Sequence, residues 1–136
     1  MIWLLDTNTL IYFANRATGF ERIARRLSGR SPGEVRMSAV TLSELEYGVE
    51  NSRHREENRA ALDDLVALIE VDAYPHQAAR HFAELKAALK AKGKQTKPYD
   101  LLIGEHARAL DATLVTNDTD DFRHMPGLRL VNWLRP

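Results

Sequence analysis

The sequence predicts a three-layer α/β/α fold with a central, mostly parallel sheet. Short apolar runs, such as residues 2–5 and 113–116, are typical of buried strands. The stretches between them carry apolar residues at helical spacing, as at Leu62, Leu65 and Ile69. Strands that alternate with helices pair in parallel within one sheet, and the helices cover both of its faces.

In chain order, the N-terminal half is predicted to hold a strand, two helices, a strand and a helix. The first strand is the apolar run 2–5, which stops at Asp6. The second strand, 35–40, follows a Ser-Pro-Gly turn at 31–33. We place the helices at 10–15, from near Gly19, and from Thr41 to about Gly48.

The C-terminal half continues the same alternation. Apolar spacing predicts an amphipathic helix over 62–69, followed by a short strand at 70–72. Pro75 suits the first position of the next helix, which would stop at Gly93. The remaining elements are a helix after Pro98 and strands at 113–116 and 128–131. Neither a linker nor a repeat interrupts the sequence, so we expect a single domain over 1–136.

Composition excludes several classes of protein. Of the 136 residues, 44% are hydrophobic, enough for a core, and 19 basic residues balance 19 acidic ones. This balance argues against a protein held to nucleic acid by bulk positive charge. The absence of cysteine excludes disulfides, zinc–thiolate sites and cysteine nucleophiles. The apolar start is too short for a signal peptide, so we expect a cytoplasmic protein.

Acidic residues follow the predicted strands at the positions where ligands bind in parallel α/β folds. Asp6 follows the first strand, Glu44 lies in the helix after the second, Asp100 begins a late helix, and Asp118 follows the 113–116 strand, with Asp121 close behind. Carboxylates that converge in this way repel one another unless a cation lies between them. Oxygen donors suit Mg²⁺ or Mn²⁺, which can activate a water for phosphodiester hydrolysis.

Each acid also has a simpler interpretation when it is taken alone. Thr41 and Glu44 have the spacing of a helix-capping box. Asp100 would interact favourably with a helix dipole, and Asp6 could cap a helix. Asp118 and its acidic neighbours could form a solvated turn. Four such positions at predicted strand ends favour a shared site.

Four segments resemble the motifs of PIN domains, in the form carried by VapC toxins, and they occur in the family order. They are LLDTN at 4–8, SAVTLSELEYG at 38–48, PYDLLIGEHAR at 98–108 and LVTNDTDDF at 114–122. The resemblance implies a PIN-like fold and a Mg²⁺-dependent endoribonuclease that acts on transfer or ribosomal RNA, with Mn²⁺ as a substitute for Mg²⁺. It also implies a VapB-like antitoxin and a homodimeric toxin.

The same resemblance assigns roles to the acids. Asp6 and Asp100 are the strongest metal ligands, followed by Glu44. The fourth ligand is open between Asp118 and Asp121, and we favour Asp118 near the metal with Asp121 orienting water.

Other polar residues lie beside these acids. Four neighbours are expected to hydrogen-bond the carboxylates, or else to serve as caps and turns: Thr7, Asn8, Thr116 and Asn117. Lys92, Lys94 and Lys97 are expected to contact RNA phosphates, although a solvated helix end would also explain them. The five histidines lack metal-ligand spacing, so we interpret them as surface or packing residues.

Two alternative functions remain at this stage. A catalytically silent PIN fold would bind RNA or protein, but such a module is expected to have lost acids that this chain retains. A haloacid-dehalogenase-type phosphatase also begins with an apolar strand and an Asp. That chemistry needs a second Asp two residues later, where this chain has Asn8.

Overall fold

The computed structural model describes residues 1–135 as alternating strands and helices. The strands are β1 (Trp3–Leu5), β2 (Val35–Ser38), β3 (Glu70–Asp72), β4 (Thr113–Val115) and β5 (Arg129–Val131). The helices are α1 (Thr7–Ala14), α2 (Phe20–Leu27), α3 (Ala39–Glu50), α4 (Arg55–Leu68), α5 (Ala78–Ala91), α6 (Pro98–Ala109) and α7 (Thr119–Phe122).

The five strands form one sheet in the order β3-β2-β1-β4-β5, and every neighbouring pair is parallel. The carboxyl ends of all five strands therefore lie at the same edge. The chain moves from β1 to β2 and β3 on one side and then crosses to β4 on the other. This order places a topological switch point between β1 and β4, where parallel α/β proteins bind their ligands.

Two apolar clusters cover the two faces of the sheet. Successive residues of a strand point to opposite faces, and Leu5 accordingly belongs to the cluster with Leu10 and Ile23, on α1 and α2. Leu4 belongs to the other cluster, with Leu85 and Ile103 on α5 and α6. The three-layer α/β/α prediction is confirmed.

Several predicted boundaries were wrong, for local reasons. Helix α1 begins at Thr7 rather than Leu10, because the Asp6 carboxylate accepts a hydrogen bond from the Thr9 amide. Strand β2 ends at Ser38, whose hydroxyl caps α3 by accepting from the Val40 amide. Thr41 is thus not the cap, and the capping box that was considered as an alternative role for Glu44 does not exist.

Two further helix starts also differ from the prediction. Pro75 lies before a turn, and α5 begins three residues later, at Ala78. The short helix α7 was not predicted, because four residues are too few to show a helical pattern.

Among residues 1–135, no helix combines the length and the apolar character needed to cross a membrane.

Glu105 is a carboxylate with no exposed surface, on α6. Neither of its oxygens has a hydrogen-bond partner among the described residues. Burial disfavours the charged form and raises the pKa of Glu105 from 4.5 to about 7. The carboxyl is therefore a local source of instability, and its effect depends on pH.

We predict that Glu105→Gln removes this pH dependence. Between 4.5 and about 7, the folded chain holds a proton that the unfolded chain has released, so the free energy of unfolding falls as pH rises. The variant should match the wild type at about pH 4, and exceed it by on the order of 2–3 kcal/mol at about pH 8. Urea unfolding at both pH values measures the difference. Equal pH profiles for the two proteins would contradict the prediction, and Glu57→Gln, on an exposed position, is the control.

Candidate active site

Asp6 lies at the centre of the carboxyl edge, immediately after β1, and only 3% of its surface is exposed. Its Oδ1 accepts a hydrogen bond of 2.9 Å from the Thr9 amide. Burial is the largest influence on its pKa, which is raised; hydrogen bonds from Thr116 and Thr9 oppose the rise, and the charge of Asp118 adds to it. Asp6 therefore caps α1, and burial disfavours the negative charge of its carboxylate.

Glu44 reaches the same edge from α3. Its Oε1 accepts a hydrogen bond of 2.6 Å from the Thr7 hydroxyl, which lies on α1 next to Asp6. The Thr7 hydroxyl oxygen also lies 3.2 Å from the buried Thr41 hydroxyl; since its one proton is donated to Glu44, it accepts from Thr41. The Glu44 carboxylate is therefore held by a residue 37 positions away in the chain, rather than by its own helix end.

Asp118 follows β4 and is held by Asn8, whose Nδ2 donates to its Oδ2 at 2.5 Å. The Asp118 amide donates in turn to the Thr116 hydroxyl, at 3.0 Å. Although Asp118 precedes α7, its carboxylate makes no capping bond to that helix. The turn that we considered from sequence is present, but the carboxylate faces α1.

Asp100 lies in the first turn of α6 and is half-buried. Burial raises its pKa to about 6, with further contributions from the charges of Asp121, Asp6 and Glu44. The nearby Lys97 ammonium lowers the pKa and offsets only part of this rise. These couplings place Asp100 within electrostatic reach of three acids that come from other segments of the chain.

The polar neighbours predicted from sequence divide into two groups. Thr7 hydrogen-bonds the Glu44 carboxylate, Asn8 that of Asp118 and Thr116 that of Asp6. Asn117 does not take part in this network, and its buried Oδ1 has no partner within residues 1–135.

The donor set of this site fits a hard divalent cation. Its groups are carboxylate oxygens, and burial, together with the charges of neighbouring acids, raises the pKa values of Asp6 and Asp100. Among residues 1–135, no three Asp, Glu or His side chains are grouped so that they could hold a metal ion without moving. Asp6, Asp100, Glu44 and Asp118 are the residues that would hold a cation here.

Comparison with known proteins assigns the family. Residues 3–128 match the PIN domain family. The chain belongs to the PIN-domain family. It is 35% identical to ribonuclease VapC2 of Rickettsia felis over 133 residues, which cover 98% of each chain. It is also 35% identical to the tRNA(fMet)-specific endonuclease VapC of Salmonella typhimurium, over 96% of this chain and 97% of that one.

Solved structures agree with this assignment. One match is the crystal structure of VapBC2 from Rickettsia felis bound to a promoter DNA fragment. A chain of that structure matches this one with a TM-score of 0.89 and 34% identity, and the match covers 98% of this chain and 99% of that chain. The DNA-bound VapBC from Salmonella typhimurium gives a TM-score of 0.86 at 34% identity, with 98% of both chains covered. Within the PIN domains, this chain is therefore a VapC-type ribonuclease, and the phosphatase alternative is wrong.

The lysines of this PIN domain lie on one side of the acids. Lys94 and Lys97 line a cavity of about 150 Å³ together with Asp100 and Asp121. Lys92 lies next to them, and its Nζ donates to the His124 carbonyl at 3.1 Å. Positive charge thus lies directly beside the carboxylates.

One buried polar network was not predicted from sequence. His106 on α6 has no exposed surface, and its Nε2 lies 3.0 Å from Asp72 Oδ1, while its Nδ1 lies 2.7 Å from Ser38 Oγ. Because the Asp72 carboxylate can only accept, Nε2–H donates to it, and in the neutral imidazole Nδ1 then accepts from the Ser38 hydroxyl. Arg36 binds the other Asp72 oxygen, at 2.7 Å.

This network ties the helix that carries Asp100 to the start of the helix that carries Glu44. It resembles a Ser-His-Asp triad in composition, but complete burial of Ser38 and His106 excludes contact with a substrate. Our interpretation of His106 as a packing residue agrees with its burial. Its hydrogen-bond partners are 34 and 68 positions away, so spacing along the chain carried no signal of them.

Proposed function

We propose that this VapC-type ribonuclease is a Mg²⁺-dependent endoribonuclease and the toxin of a toxin–antitoxin pair. The observation that carries the proposal is the gathering of Asp6, Glu44, Asp100 and Asp118 at one sheet edge, where the pKa values of Asp6 and Asp100 are raised. Mn²⁺ is expected to substitute for Mg²⁺, since both prefer oxygen ligands.

Different side chains have different roles in the proposed hydrolysis. Asp6, Asp100, Glu44 and Asp118 would hold the cation, which supplies charge neutralisation at the phosphate and a more acidic bound water. Asp121 is exposed and close enough to Asp100 to raise its pKa, so it is placed to orient the attacking water and accept its proton. Thr7 and Asn8 fix the carboxylates of Glu44 and Asp118 before the substrate binds.

Lys92, Lys94 and Lys97 would bind the phosphates that flank the cleaved one. Isolated lysines would suit a solvated helix end, but Lys94 and Lys97 share a cavity with Asp100 and Asp121. Phosphate contacts of this kind position an RNA without reading its sequence. A transfer RNA or ribosomal RNA is the proposed substrate class, in line with the relative named as a tRNA(fMet)-specific endonuclease.

An apolar groove provides a place for the antitoxin. The groove has a volume of about 230 Å³ and lies between α1, α3 and α4, where it is lined by Leu10, Ile11, Leu45, Gly48 and Leu62, among others. Glu44 lies at its margin. An amphipathic antitoxin helix in this groove would cover Glu44, which explains inhibition by direct contact. We also propose a homodimer, as the family resemblance implies.

The first prediction from this proposal concerns cleavage. Purified protein should cut a defined RNA within total cellular RNA in Mg²⁺ and leave it intact in EDTA. Asp6→Asn and Asp100→Asn should each lower the rate at least about a hundredfold, because each removes a charged ligand without changing side-chain size. The rate is measured on gels, and the cut ends should carry 5′-phosphate and 3′-hydroxyl groups.

Asp64→Asn is the matched control, since Asp64 is an exposed acid on α4 outside the site. Metal-independent cleavage, 2′,3′-cyclic phosphate ends or full activity of Asp100→Asn would contradict the proposed mechanism. RNA binding without cleavage by folded wild-type protein would favour the catalytically silent module.

A second prediction concerns the groove. A Cβ added to Gly48 meets no atom within 4 Å, so Gly48→Leu should fill the groove without disturbing the fold. We expect it to weaken binding of the cognate antitoxin at least about tenfold in calorimetric titration, because the groove no longer accepts a helix. Ala67→Leu, on an exposed position of α4, is the control. Unchanged affinity of Gly48→Leu would place the antitoxin elsewhere.

A further inference from the structure

Two tyrosines lie exposed beside the acidic site. Tyr47 is 69% exposed on α3, one helical turn beyond Glu44. Tyr99 is 57% exposed and directly precedes Asp100 on α6. A single exposed tyrosine is ordinary. Two on different helices, each next to a candidate metal ligand, call for a functional explanation.

The two rings share one cavity. Its volume is about 300 Å³, and it is lined by Ser43, Glu44, Tyr47 and Tyr99. This is the lower end of the ~300–1,000 Å³ range of small-ligand sites. Glu44 belongs both to this cavity and to the group of acids that act on Asp100. Glu44 is therefore shared between the cavity and the proposed site of hydrolysis.

The chemistry of the cavity distinguishes between the parts of an RNA. Glu44 in its wall repels a phosphate, whereas the neutral face of a nucleobase is attracted to tyrosine rings. Proteins recognise unpaired RNA by stacking splayed bases on aromatic side chains. A base attached to the ribose next to the cleaved phosphate would lie within one nucleotide of the acids, as these tyrosines do.

We propose that Tyr47 and Tyr99 stack on an unpaired nucleobase adjacent to the cleaved phosphodiester. This inference rests on the proposed function, since it assigns a further contact to the same site. The tyrosines are binding residues that recognise the unstacked state of the base. Cleavage is accordingly confined to single-stranded positions, such as loops, within a folded RNA.

The test uses a short synthetic RNA that spans the cleavage site mapped for the wild-type protein. One version carries the ordinary nucleotide next to the cut, a second an abasic nucleotide, and a third 2-aminopurine, whose fluorescence is quenched by stacking. Binding is measured with the full-length Asp6→Asn protein, into which Tyr47→Ala, Tyr99→Ala, Tyr99→Phe and Tyr99→Leu are introduced. Leu68→Ala, which removes an equally exposed apolar side chain on α4, is the control.

We expect the abasic change to weaken binding roughly five- to a hundredfold in the protein that retains both tyrosines, as expected for one stacked base. Tyr99→Ala should weaken binding of the ordinary RNA similarly and abolish the effect of the abasic change. Tyr99→Phe should retain the affinity and the quenching, and Tyr99→Leu should lose the quenching. In the otherwise wild-type protein, Tyr99→Ala should raise KM with a smaller effect on kcat.

Several outcomes would overturn the inference. If the abasic change weakens binding as much in the tyrosine variants as in their parent, stacking on these tyrosines is excluded. Cleavage by the wild-type protein would in that case leave the proposed function intact. If Tyr47→Ala dissociates a dimer and weakens binding of the ordinary and the abasic RNA equally, the cavity belongs to a subunit interface. Failure of the wild type to bind or cut any RNA would overturn the proposed function and this inference with it.

Discussion

The repulsion among carboxylates at the carboxyl edge of the sheet is the constraint on which the arrangement of this protein depends. Four parallel pairings bring the ends of all five strands to one edge, and acids from four segments of the chain meet there. The protein itself does not neutralise them, and it raises the pKa values of Asp6 and Asp100. A folded chain that keeps this electrostatic cost in its interior is suited to bind a cation, since the ion would convert the repulsion into attraction.

Polar contacts between distant segments hold the acids in place. Thr7 holds Glu44 and Asn8 holds Asp118, so the first turn of α1 orients carboxylates from both sides of β1. At the carboxyl ends of β2 and β3, His106 joins α6 to Ser38 at the start of α3 and to Asp72. The helices that carry Asp100 and Glu44 are thereby fixed relative to the sheet. Ordinary hydrogen bonds between distant segments thus place the side chains that the chemistry requires.

The alternation of strands and helices was predictable because the spacing of apolar residues reports burial. In a parallel sheet the buried strands are short continuous apolar runs, whereas the covering helices bury only one face. The sequence also located the acids, since ligands in such folds lie after the strands. Asp6 caps α1, as one interpretation of the sequence allowed. The start of α3 was not predictable: Ser38 caps this helix, so that the apparent capping box at Thr41 is a coincidence of spacing. Partners far apart in the chain, such as His106 and Asp72, leave no mark on a local pattern. Nor does a local pattern reveal that Glu105 is buried without a hydrogen-bond partner among the described residues.

The most direct test of the central claim is binding of Mn²⁺ by the RNA-free protein, followed by electron paramagnetic resonance at about pH 8, where the acids are ionised. We expect roughly one or two bound ions per chain, displaced by excess Mg²⁺. The affinity should fall at least about tenfold in Asp6→Asn and in Asp100→Asn and stay unchanged in Asp64→Asn. Mn²⁺ binding that is equally strong in all four proteins, or absent from the folded wild type, would contradict the claim that these carboxylates are gathered to hold a metal ion.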